Sequence, residues 1–146
     1  IVDVSHLGDK GFWDVIALST KPIVASHSNA RSVCGVARNM SDEMILALHK
    51  NGGVMGMNYC EDFVSDDSDG SVANIVKHMN HIRDLGCIDN IGLGSDFDGI
   101  STRKEMEECS KMYLLCDALE KEGYTEEEIE KICYRNVLRV YEAVLK

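Results

Sequence analysis

Four residues in this chain have types and positions suited to metal-ion chemistry. His6 and His27 each close a short apolar run, Ile1-Val2-Asp3-Val4-Ser5-His6 and Ile23-Val24-Ala25-Ser26-His27. A third run, Ile91-Gly92-Leu93-Gly94-Ser95, ends in Asp96-Phe97-Asp98-Gly99. Imidazole suits zinc and its transition-series neighbours. A carboxylate beside such a metal can ligate it, take a proton from bound water, or return one to a leaving group. Arg38 lies in the polar loop after His27, where a guanidinium could grip a carboxylate through two parallel hydrogen bonds. Arg31, in the same loop, competes for that role. Each residue also has a structural reading: a hydrogen-bonded strand-end histidine, a turn aspartate, a solvated arginine. The turn reading fits Asp98-Gly99 better than Asp96. Two histidines and an aspartate on one rim favour ligation and acid–base work.

The elements that must position these residues alternate. Near-continuous apolar runs predict parallel strands over 1–6, 23–27, 54–58 and 91–95, buried on both faces. Between them lie helical patterns. Residues 9–18 carry Phe12, Val15 and Ile16 on one face. Ser41 is a good N-cap for a helix that Asn51-Gly52-Gly53 ends. Residues 72–85 space Val72, Ile75, Val76, Met79 and Ile82 three and four apart. Helices are predicted over 104–122 and 125–145. The second opens with Thr125 and Glu128 in a capping-box spacing and carries Ile129, Ile132, Cys133, Val137, Val140 and Val144 on its apolar stripe. Strands alternating with helices imply βαβ units.

His6 and His27 then close consecutive strands, which lie about 4.8 Å apart when adjacent. They could reach one metal or neighbouring metals. In (β/α)8 barrels the site lies on this C-terminal rim, and a full barrel takes about 250 residues. Four β/α units are about half of one. The fold expectation is therefore α/β, half of a (β/α)8 barrel, in one domain over 1–146.

Composition excludes some classes. Fifteen basic against twenty-five acidic residues give a net charge of −10. A nucleic-acid partner needs Lys/Arg clusters, which are missing. No apolar stretch is long enough to span a bilayer. The six cysteines form no CxxC pair or regular framework, which suggests reduced thiols and a cytoplasmic location.

Other signals fail. Gly92-x-Gly94 lacks the third glycine of a dinucleotide loop. Asp67-Ser68-Asp69-Gly70 resembles a calcium loop, but its closing acidic position falls on Val76. His78 and His81 stand three apart and could share a metal, though the wetter face of a helix is the simpler reading. His49 reads as a surface residue near a helix end.

VDVSH, PIVASHSNARSVC…RN, NGGVMGMN, GLGSDFDG and a C-terminal NVLRVYEAV together resemble the membrane (renal-type) dipeptidase family of zinc metallopeptidases. The resemblance runs from Ile1 to Leu145 and corresponds to the C-terminal half of that family's (β/α)8 barrel. It implies hydrolysis of dipeptides, often with a D-residue at the C-terminal side, by a site of two zinc ions. It assigns His6 and His27 as ligands of one zinc, Arg38 as the residue gripping the substrate carboxylate, and Asp96 as the residue handling the proton. The family's His-x-Asp pair, bridging glutamate and a substrate-binding histidine have no counterpart in this sequence. Hence the chain by itself is expected to be inactive, with ligands for one zinc at most. It is expected to pair with a copy of itself or with the missing half. The alternatives are another metal-dependent barrel amidohydrolase, or a non-catalytic oligomerising half-barrel.

Overall fold

The computed structural model describes residues 1–100 and 105–146. Helix α1 (Asp9–Leu18) precedes β1 (Val24–Ala25), α2 (Asp42–Asn51) and β2 (Val54–Met57). A short α3 (Glu61–Val64) and α4 (Val72–Asp84) lead through a 3-10 turn at Ile88–Asn90 to β3 (Ile91–Leu93). A second 3-10 turn, Cys109–Lys111, enters α5 (Met112–Lys121). The last helix is split into α6 (Glu126–Glu130), a π turn at Lys131–Arg135 and α7 (Asn136–Leu145).

The strands form one parallel sheet in the order β1-β2-β3, with Ala25 against Met55 and Met55 against Ile91. The pleat puts Ala25, Met55, Met57 and Ile91 on one face, and all four are fully buried. Phe12, Ile45, Leu48, Ile75, Met79 and Ile82 of the helices complete that core. Val54 and Gly92 turn to the opposite face, where α7 lies: a Cβ on Gly92 would stand 3.1 Å from Val137 Cγ2.

Every predicted strand is shorter than its apolar run, and in the first three a polar side chain captures a backbone N–H at the C-terminal end. The segment expected as strand 1–6 makes one bridge, Asp3 with Val24. Ser5 then donates its N–H to Asp3 Oδ1 at 3.1 Å, which turns the chain at Ser5-His6. Ile1 and Val2 are exposed rather than buried. Strand β1 stops at Ala25 because Ser26 also donates its N–H to Asp3 Oδ1, at 3.0 Å. Strand β2 stops at Met57, since Asn58 N–H goes to Asn29 Oδ1 at 3.1 Å.

The helices keep their predicted caps. Ser41 Oγ accepts from Met44 N–H, and Gly52 closes α2 in the left-handed region at φ 79°. Thr125 and Glu128 form the capping box. The helix expected over 104–122 begins as α-helix only at Met112; its predicted start at Lys104 lies outside the described residues. On the final helix Ile132 and Val140 are buried as the stripe requires. Asn136 is buried between them, donating to the Ile88 and Ile91 carbonyls at 2.9 and 2.8 Å. Among the described residues no helix is long and apolar enough to cross a membrane.

Candidate metal and substrate site

The sheet brings three chain segments together at its C-terminal end. The carbonyl of Ser26 comes so close to Gly56 and Gly94 that a Cβ on either glycine would collide with it. Ser28 N–H reaches Gly56 O at 2.7 Å and Gly94 N–H reaches Met57 O at 3.2 Å, so the turns beyond the strands stay laced together. His6, His27, Asn58 and Asp96 all sit on this rim.

His6 and His27 are directed at each other. Their Nε2 atoms are 2.8 Å apart and their ring centroids 4.8 Å apart. Two nitrogens on one tetrahedral zinc, each about 2.0–2.1 Å from the metal, lie roughly 3.3 Å apart. A half-ångström opening therefore admits an ion between these rings, and the pair fits as two ligands of one metal. Among the described residues no group of three or more His, Cys, Asp or Glu side chains is gathered closely enough to hold a metal. Burial lowers the His27 pKa; Asp96 pulls the other way, while Arg38 and His6 add to the lowering. The net depression favours neutral imidazole, the form that ligates.

Asp96 adopts φ 67°, in the left-handed region that few residues other than glycine occupy. Asparagine and aspartate tolerate it best, and such backbone often marks a functional position. Its Oδ2 accepts from Asn58 Nδ2 at 3.0 Å. Asp96 also opens the tight turn expected of Asp98-Gly99, with Gly99 N–H returning to Asp96 O at 2.9 Å.

Arg38 is half-buried. It donates from one terminal nitrogen to His27 O at 2.8 Å and from the other to Ser28 Oγ at 3.1 Å. Its Nε–H is buried with no partner among the described residues. Its guanidinium stands 5.7 Å from the Phe63 ring centre. Arg31 is otherwise engaged, in a two-pronged ion pair with Asp9 at 2.8 Å and a bond to Asn39 O. Of the two loop arginines, Arg38 is thus the one tied to the histidine turn.

Several residues here carried no separate signal in the sequence. Asp3 gathers the Ser5 and Ser26 N–H groups and the Ser26 hydroxyl. Burial works to raise its pKa, but the bonds from Ser26 and Ser5 outweigh it and leave it below the ordinary carboxylate value. Buried Asn29 donates to Asn58 O and Phe63 O, and buried Asn39 donates to Cys34 O and Phe63 O. These bonds hold the long loop after His27 against the start of α3.

His78 corrects the expectation of a wet helix face: it is fully buried. Ala30 N–H donates to its Nδ1 at 3.1 Å, which makes Nε2 the protonated nitrogen, donating to Val64 O at 2.8 Å. Both nitrogens are taken, so no metal is shared with His81, which pairs with Asp42 at 2.7 Å. His49 is exposed as expected, with Nδ1 bonded to Asn90. All six cysteines are free thiols.

Comparison with known proteins gives one consistent relationship. The family model described as membrane dipeptidase (peptidase family M19) matches residues 1–146. An uncharacterized protein in the pqqA 5' region of Klebsiella pneumoniae is 37% identical, over 98% of this chain and 54% of its own length. Dipeptidase ataJ of Aspergillus terreus is 35% identical, over 99% of this chain and 36% of its own. The chain thus spans about half, or less, of the curated relatives it matches. Among solved structures, a metallo peptidase from Rhodobacter sphaeroides, liganded with a phosphinate mimic of the dipeptide L-Ala-D-Ala, superposes with TM-score 0.91 at 33% identity. That match covers 98% of this chain and 42% of the other. The probable dipeptidase PvdM of Pseudomonas aeruginosa superposes at 0.92 with 21% identity, over 99% of this chain and 50% of its own, a likeness of fold.

Proposed function

The chain belongs to the membrane dipeptidase family of metallopeptidases, and from that membership we propose that it forms part of a (β/α)8 dipeptidase that hydrolyses the single peptide bond of dipeptides. One observation supports this best: the two imidazole Nε2 atoms converge to 2.8 Å on the rim that also carries Asp96 and Arg38.

His6 and His27 would hold one zinc, and a second zinc of the complete family site would draw its ligands from outside this chain. The metal supplies a water acidified toward neutrality and a Lewis acid for the scissile carbonyl. The chain's own residues do the rest. Arg38, anchored on His27 O, offers its remaining N–H groups to the C-terminal carboxylate of the substrate. That grip on a free terminus would restrict the substrate to very short peptides. Asp96, steadied by Asn58, passes the proton to the leaving amine. The relative that binds a mimic of L-Ala-D-Ala supports a dipeptide with a D-residue at its C-terminal side. The free thiols support a reducing, cytoplasmic setting. Were the substrate a cyclic amide or ester without a carboxylate, Arg38 would have no partner to grip.

Zinc titration by calorimetry tests the site. One ion is expected to bind the 146-residue chain weakly, and His6→Ala or His27→Ala should each abolish binding. Unchanged stoichiometry in both variants would refute the assignment and move the signal to His81 or the thiols.

A further inference from the structure

Both histidine turns are built on the same carboxylate. Asp3 Oδ1 accepts the N–H of Ser5, the residue before His6, and of Ser26, the residue before His27, at 3.1 and 3.0 Å. Its Oδ2 lies 2.5 Å from Ser26 Oγ. Ser26 Oγ lies 2.7 Å from His27 Nδ1. His27 N–H is in turn held by Ser5 Oγ at 2.8 Å.

A hydroxyl has one proton to give. An ionised carboxylate only accepts, so Ser26 spends that proton on Asp3. Its oxygen can then only accept from His27, which requires the proton of His27 to sit on Nδ1. The lone pair of His27 is left on Nε2, facing His6. We propose that Asp3 and Ser26 are positioning residues of the metal site: Asp3, acting through the Ser26 hydroxyl, fixes His27 as the tautomer whose Nε2 can ligate.

This rests on the metal-site reading above and extends it to two residues that touch no metal. Ligating histidines are commonly oriented by an acceptor on their other nitrogen, and loss of that acceptor costs about ten- to a hundredfold in metal affinity. Here the carboxylate is reached through one serine hydroxyl, so both members matter. The arrangement is also asymmetric. With His27 Nε2 as the acceptor, His6 Nε2–H must be the donor across their 2.8 Å contact.

Long-range proton–nitrogen NMR of the 146-residue chain at about pH 8, where an ordinary imidazole is neutral, reads the tautomers directly. His27 is expected as the Nδ1–H form and His6 as the Nε2–H form. Zinc titration of Ser26→Ala and Asp3→Asn should show affinity weakened by about ten- to a hundredfold, with Ser26→Thr, which keeps the hydroxyl, within about threefold of the parent. An Nε2–H tautomer of His27 in the parent chain would overturn the relay, and so would undiminished zinc affinity in Ser26→Ala. The parent spectrum needs no variant, so it decides the matter even where a substitution prevents folding. A parent chain that took up no zinc would sink the metal-site reading and the positioning role with it. Zinc uptake with the wrong tautomer would sink the relay alone.

Discussion

Asn58 donates its side-chain amide to Asp96 Oδ2 at 3.0 Å, across the gap between the ends of β2 and β3. The same side chain accepts Cys60 N–H at 2.7 Å, and its backbone N–H is held by Asn29. Asn58 is thus locked on three sides, and the Asp96 carboxylate takes its direction from it.

A complete enzyme containing this chain should therefore lose about ten- to a hundredfold in kcat on Asn58→Ala, since small misplacements of a proton-transfer group carry costs of that size. Zinc content should not change. Unaltered kcat in a folded Asn58→Ala protein would show that Asp96 needs no such support, or does not carry the proton.

Arg38→Lys in the same complete enzyme keeps the charge but loses the planar fork. Use of dipeptides with a free C-terminal carboxylate should fall more than use of their C-terminal amides. An equal fall for both would make Arg38 a structural clamp for the His27 turn, which its bonds to His27 O and Ser28 also allow.

The 146-residue chain alone should show little or no dipeptide turnover with added zinc. A catalytic zinc usually has three protein ligands. On the proposed assignment His6 and His27 would provide two, and no cluster of three or more ligand side chains stands among the described residues. A dipeptide panel assayed against a full-length relative tests this; comparable rates would overturn it.

His78 makes a prediction about pH. Burial pushes its pKa down to about 4, against the backbone bonds to Val64 and Ala30 that pull it up. Its folded value lies below the unfolded value of about 6.5, so the unfolded state binds the proton first. The full contribution is present above about pH 6.5 and is lost progressively as pH falls toward 4. The loss is on the order of 3 kcal/mol at its limit, taking about 1.4 kcal/mol per pKa unit. Urea midpoints measured from about pH 7.5 to 5 should fall, and a His78→Gln variant should have a flatter profile over that span. An equally steep profile in the variant would place the titration elsewhere.

Self-association is expected of the isolated chain. The Asp3 segment and β3 are the outer members of the sheet, and no further strand pairs with either among the described residues. On the last helix Tyr134, Leu138, Tyr141 and Leu145 follow one another at helical spacing, and each is close to half exposed or more. An open sheet edge beside an apolar stripe favours pairing with a second copy, most simply as a two-fold dimer. Sedimentation velocity at micromolar concentration should show a dimer or larger; a stable monomer would refute this.

The placing of His6, His27 and Asp96 on one rim was legible in the sequence because it depends on local rules. Apolar runs with helical patterns between them require parallel strands, and a histidine or aspartate closing such a run has to emerge on the C-terminal rim. Caps at Ser41 and Thr125 are set by short-range hydrogen bonds and fell where their spacing put them. Tertiary structure decided what depends on partners far apart in the chain. Strands end early because Asp3 and Asn29 capture N–H groups from segments twenty-three and twenty-nine residues away. His78 can be buried because Ala30 N–H, forty-eight residues earlier, and Val64 O satisfy both of its ring nitrogens. Arg38 rather than Arg31 reaches the histidine turn because Asp9 has already engaged Arg31. Spacing along the chain carries none of this. The proton on His27 likewise follows only once folding has placed one carboxylate, one hydroxyl and one imidazole in line.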